Sequence, residues 1–68
     1  MTDNELLERI TTNPSVMGGK PTVRGLRTTV EQIVRWLEAG STTEELLDQF
    51  PFLELDDIRA AVLYASRM

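Results

Sequence analysis

The stretch Thr28-Thr29-Val30-Glu31-Gln32-Ile33-Val34-Arg35-Trp36-Leu37-Glu38-Ala39-Gly40-Ser41-Thr42-Thr43-Glu44-Glu45-Leu46-Leu47 decides the fold. Val30, Ile33, Val34 and Leu37 recur at the i, i+3, i+4, i+7 spacing of one buried helical face. Thr28 with Glu31, or Thr29 with Gln32, supplies a capping box at its start, and Gly40 occupies the left-handed position past its end. The spacing predicts a helix over about residues 29–39. Trp36 lies about 100° off its apolar stripe. A second helix follows at once: Ser41 pairs with Glu44, and Thr42 with Glu45, as alternative capping boxes. Leu46, Leu47 and Phe50 form its stripe, and Pro51 stops it.

Working outward toward the C-terminus, a turn of about four residues, Pro51 to Glu54, leads to a third helix over about residues 55–67. Leu55, Ile58, Val62 and Ala65 share one stripe and are expected to face the core. Ala60, Leu63, Tyr64 and Arg67 lie roughly opposite. Together with Trp36, the Leu63, Tyr64 and Arg67 set has the composition of an interface hot spot. Covering by the residues that precede the helices is the alternative fate of Trp36 and Tyr64. Short helices joined by such short turns are the signature of a helix-turn-helix unit.

Toward the N-terminus the pattern changes. Thr2 or Asp3 is placed to cap a single turn through Leu6 and Leu7, a helix too short to persist alone in water. From Thr11 to Thr29 the punctuation is dense (Pro14, Gly18, Gly19, Pro21, Gly25), which excludes a continuous helix and predicts an arm with turns. Ile10–Thr11 and Val23–Leu26 read as short extended pieces that pair with each other or with a second chain. The expected organisation is one domain: an arm over residues 1–28 and a three-helix core over residues 29–68.

Composition narrows the function. The chain has 68 residues with no cysteine and no histidine. Disulfides and the usual zinc spacings are therefore excluded, and no metal or cofactor is expected. A nucleophile would have to be Ser, Thr or Lys, with a carboxylate or Lys20 as base. A core this small also struggles to enclose the roughly 300 Å³ that ligand sites need. A binding protein is expected rather than an enzyme. The acidic start and the lack of a long apolar run predict a cytoplasmic chain with no membrane partner.

The net charge of −4 is unevenly spread. Residues 1–9 carry Asp3, Glu5 and Glu8 against Arg9, or −2. Residues 10–30 carry Lys20, Arg24 and Arg27 with no acid, or +3. Residues 31–68 carry eight acids against Arg35, Arg59 and Arg67, or −5. A basic arm is thus joined to an acidic helical body. Lys20, Arg24 and Arg27 suit DNA phosphates, or the carboxylates of a protein partner. The plain alternative is a solvated loop with one arginine bound to the acidic body of its own chain. The Gly18-Gly19-Lys20-Pro21-Thr22 run is not a phosphate loop, because Pro14 stands at the first glycine position and Pro21 follows the lysine. Glu54, Asp56 and Asp57 at the start of the third helix would repel a DNA backbone there.

The string from Asn13 through Gly18-Gly19-Lys20-Pro21-Thr22-Val23-Arg24-Gly25-Leu26-Arg27 to Val30 resembles a short bacterial and archaeal family, the domain of unknown function 433 family. Glu38-Ala39-Gly40, Ser41 to Leu47, and Leu55-Asp56-Asp57-Ile58-Arg59-Ala60-Ala61 continue the match, which runs from about Ile10 to Ala65. The resemblance implies a mostly α, homeodomain-like helix-turn-helix fold preceded by an arm containing short β segments. It also implies the role of an antitoxin paired with a PIN-like ribonuclease toxin. The positions it carries over are Gly18, Gly19, Lys20, Pro21, Arg24, Gly25 and Arg27. One departure is Glu54, a poorer N-cap than the family's usual Thr or Ser. The expected partner is such a toxin, docked on Lys20, Arg24 and Arg27 with Trp36, Leu63, Tyr64 and Arg67. DNA bound as a transcriptional regulator, and a homodimer, are the alternatives.

Overall fold

The computed structural model describes residues 2–67. Their order is α1 (Asp3–Leu7), β1 (Ile10–Thr11), a single 3-10 turn (Met17–Gly19), β2 (Thr22–Val23), α2 (Val30–Glu38), α3 (Thr43–Gln49) and α4 (Leu55–Ser66). The fold is mostly helical with one short antiparallel pair of strands. The helices starting at Val30 and Thr43 begin where the caps require. The Thr29 hydroxyl accepts the Gln32 N–H at 3.1 Å while the Gln32 side chain accepts the Thr29 N–H at 3.0 Å. Thr42 and Glu45 repeat the arrangement at 3.1 and 3.2 Å. Each box satisfies two otherwise orphaned backbone donors.

The arm is part of the core. β1 and β2 pair with each other, Ile10 opposite Val23 and Thr11 opposite Thr22. The β2 strand is two residues long and begins at Thr22, so the extended piece expected over Val23–Leu26 is shifted and shortened. The reason is the turn at Arg24-Gly25. Both residues have positive φ (50° and 72°), and the Leu26 N–H donates to the Val23 carbonyl at 2.8 Å. Positive φ at both central positions is what a tight type I′ turn demands. The chain doubles back so that Thr29 bridges Thr22 and the Val30 N–H donates to the Pro21 carbonyl. Val23 is thereby placed at the centre, fully buried with Ile33, Leu46, Ile58 and Ala61.

The packing of α4 departs from the sequence reading. The expected stripe of Leu55, Ile58, Val62 and Ala65 holds only in part. Leu55 and Val62 are 51% and 46% exposed, whereas Asp57, Ala60 and Ala61 have no exposed surface. Tyr64, expected on the outer side, is half-buried against the core, and Leu63 is half-buried as well. The physical reason is that α4 is covered from two directions, by α2 and by α1. The second cover rotates the buried arc toward residues 57, 60, 61 and 64, an i, i+3, i+4, i+7 set. Small side chains at Ala60 and Ala61 let those neighbours approach closely.

If the arm is integral, Val23→Ala removes core volume and not loop decoration. We expect a loss of about 2 kcal/mol of unfolding free energy. That corresponds to roughly 10 °C in melting temperature for a domain of this size. Thermal melts followed by far-UV circular dichroism measure it; an unchanged midpoint would separate the arm from the core.

Candidate functional site

The most constrained group in the molecule is the Asp57 carboxylate, which is completely buried. It lies in the first turn of α4, where its Oδ2 accepts the Glu54 N–H at 2.9 Å. This bond caps the helix from inside, so Glu54 is free to serve elsewhere. Four donors in all converge on Asp57. Arg24 contributes Nη2 to Oδ2 at 2.7 Å and Nε to both oxygens at 3.0 and 3.1 Å. Arg9 contributes Nη1 to Oδ1 at 2.9 Å. Arg9 Nη1 also reaches Glu54 Oε1 at 2.8 Å, and Arg24 Nη2 holds the Phe52 carbonyl at 2.9 Å.

Local structure aims both arginines. The Arg24 N–H donates to the Arg9 carbonyl at 2.6 Å, so the two residues are locked side by side just past the strand pair. Left-handed backbone is costly for a side-chain-bearing residue, and here it directs Arg24 across the turn onto α4. Burial alone would push the Asp57 carboxyl up; hydrogen bonds from Arg24, from the Glu54 N–H and from Arg9 outweigh it and hold the carboxyl below its ordinary range. Hydrogen bonds to Glu54 and then Asp57 raise Arg9, and the bond to Asp57 raises Arg24.

The family model described as protein of unknown function, DUF433, matches residues 10–65. The chain belongs to this family. It is also similar to the uncharacterized protein y4eO of Sinorhizobium fredii (strain NBRC 101917 / NGR234), with 38% identity over 59 residues. Those residues are 87% of this chain and 27% of that protein, so the chain spans about a quarter of the relative's length. No solved structure matches.

In this DUF433 chain the expected binding residues have separate fates. Arg24 is occupied by Asp57, the self-bound arginine weighed as the plain alternative above. Arg67 pairs with Asp3 of α1 at 2.9 Å. Lys20 is exposed and reaches Glu31 only at 3.9 Å. Arg27 is exposed, and among the described residues it pairs with no carboxylate. Leu63 and Tyr64 are half-buried. Gly18 and Gly19, at φ of 66° and 85°, complete the 3-10 turn before Lys20, and Pro21 follows as the acceptor for α2. Trp36 is 37% exposed and meets Phe50 edge to face at 5.9 Å; Phe50 meets Phe52 at 6.0 Å. Phe52, 48% exposed, was not singled out by the sequence. Its signal was the apolar pair Phe52-Leu53 in a turn, of which Leu53 is the member that joins the buried core.

The result is an aromatic ledge of Trp36, Phe50 and Phe52 whose last member is bound by Arg24. Among the described residues there is no cluster of three metal-ligating side chains, and no helix is long and apolar enough to cross a membrane.

Removing the buried charge should unfold the hinge between arm and α4. Asp57→Ala is expected to cost about 3 kcal/mol, because two arginines lose their common partner while part of their own surface stays solvated. Arg24→Lys should restore little of an equivalent Arg24→Ala loss, since an ammonium cannot make the paired contact. The folded-state value of Asp57 lies below its unfolded value of about 4. The stabilisation is therefore complete above the unfolded value and is lost as pH falls through the folded one. Urea titrations from pH 6 to pH 2.5 should show this loss in the native chain and a flatter profile in Asp57→Asn.

Proposed function

We propose that this chain is an antitoxin-type binding protein, one that blocks a PIN-like ribonuclease by protein–protein contact. The observation that carries the reading is the aromatic ledge. Trp36 and Phe52 stay exposed although the arm had the length to cover them, and the ledge ends against the arginine-bearing turn. Exposed aromatics beside arginine are the composition of interface hot spots. Lys20 and Arg27 are the arm cations left to meet carboxylates such as those that hold metal in a nuclease. In this reading Arg24 shapes the turn and does not itself enter the partner's site.

The reading takes α2, α3 and α4 as a homeodomain-like helix-turn-helix used as a protein-binding scaffold. The alternative, a DNA-binding regulator, requires α4 to present donors to base edges. Its exposed side instead offers Leu55 and Val62 with Arg59 between them, and Glu54 and Asp56 at its start repel phosphates. Protein contact is favoured on that ground.

Co-expression with the product of the adjacent gene, purification through one tag and a ribonuclease assay test the proposal. A stable complex with suppressed nuclease activity is expected. Trp36→Ala with Phe52→Ala should weaken it at least about 30-fold, the scale of hot-spot truncation. Arg27→Ala should weaken it less and in a salt-dependent way. Absence of any complex, with promoter DNA bound by the chain alone along a steep salt slope, would transfer the function to the regulator.

A further inference from the structure

The three rings of the ledge are not equally fixed. Trp36 stands on α2 and Phe50 packs against the core, whereas Phe52 lies in the turn between α3 and α4 with its ring 48% exposed. The main chain has only two soft angles per residue, so fixing the Phe52–Leu53 peptide unit fixes where that ring is presented. The unit is held from both sides. The Leu53 N–H donates to the Phe50 carbonyl at 2.9 Å, and Arg24 Nη2 donates to the Phe52 carbonyl at 2.9 Å. Among the described residues, the bond from Arg24 is the one hydrogen bond made by the Phe52 main chain. The next peptide unit is held through the same ion pair, Asp57 Oδ2 accepting the Glu54 N–H at 2.9 Å.

Arg24 Nη2 thus serves two acceptors at once, Asp57 Oδ2 at 2.7 Å and the Phe52 carbonyl at 2.9 Å. A guanidinium is a rigid planar fork. With Nε and Nη2 both engaged by a fully buried carboxylate, the remaining Nη2 hydrogen has one direction left, and the Phe52 carbonyl lies along it. The main chain of Arg24 is tied in turn to the Arg9 carbonyl. A residue of the arm, 28 positions upstream, therefore governs the conformation of an exposed aromatic turn.

We propose that Arg24 is a positioning residue for recognition: through the Phe52 carbonyl it holds the Phe52 ring in line with Phe50 and Trp36, so that the buried ion pair shapes the ledge without touching the partner. The proposal rests on the ledge being the protein-binding surface. It gives Arg24 a share of the affinity that is not charge attraction, because a ring ordered in advance loses less freedom on binding.

Nuclear Overhauser spectra of the free full chain read the positioning directly. In the native chain the Nη protons of Arg24 should give resolved signals with contacts to Phe52, against averaged signals for Arg27. Arg24→Gln and Arg24→Lys, the second keeping a charge beside Asp57, should each lose the contacts between the Phe50 and Phe52 rings and keep those between Trp36 and Phe50. Averaged Arg24 signals in the native chain, or Phe50–Phe52 contacts retained in either folded variant, would overturn the proposal. In the complex with the product of the adjacent gene, Arg24→Lys should weaken binding about 10-fold, but less than about 2-fold when Phe52→Ala is already present. Equal losses in the two backgrounds would mean that Arg24 meets the partner itself, which also overturns it. If no complex forms, the protein-binding reading falls, while the spectra of the free chain still decide whether Arg24 orders the ledge.

Discussion

The fold depends on one buried negative charge. A carboxylate removed from water costs several kcal/mol unless its lone pairs are taken up by strong donors. Asp57 has no exposed surface, and it is held by Arg9, by Arg24 and by a backbone N–H of its own helix. Those partners come from three places in the chain: the end of α1, the turn after β2 and the start of α4. The ion cluster therefore fastens the arm to the helices at a point where the apolar core alone, with Val23 as the arm's fully buried aliphatic member, would leave many orientations open. Its gross hydrogen bonding is strong, and its net worth is reduced by desolvation, so its main effect is geometric.

That geometry redistributes the surface charge. Read along the chain, Lys20, Arg24 and Arg27 form a basic arm joined to an acidic body. In the folded molecule Arg24 and Arg9 are turned inward against part of that acid, leaving Lys20 and Arg27 outside. The start of α4 is correspondingly less negative than its sequence suggests, because one of its three acids is neutralised in the interior. Beside these two cations the surface carries apolar side chains: the ledge of Trp36, Phe50 and Phe52, and the outer face of α4 with Leu55 and Val62.

Backbone strain enters at the same place. Arg24 adopts a left-handed conformation that a glycine would tolerate more readily. An arginine is kept there because the turn aims its guanidinium at Asp57, and the ion pair offsets a backbone cost of order 1 kcal/mol. The adjacent Gly25 takes the second left-handed position without such a cost. Tight turn, strand pair and ion cluster thus support one another: each fixes the geometry that the next requires.

The helices from Val30 onward were legible in the sequence because caps, apolar spacing and the proline stop are local, and Thr29-Gln32 and Thr42-Glu45 act within one helical turn wherever the segment lies. Family membership was legible for the same reason, being carried by a contiguous string of residues. The partners of Arg9 and Arg24 were not legible, since they lie 48 and 33 residues away and a charge pattern does not record distance in space. Nor was the phase of α4. Its apolar residues fit more than one stripe, and only the arrival of α1 on a second side selected Ala60 and Ala61 for the interior and left Leu55 and Val62 outside. Local hydrogen bonding and periodicity thus determined which segments are helices; burial from several directions at once, a property of the assembled chain, decided which face of each is surface and which charge is core.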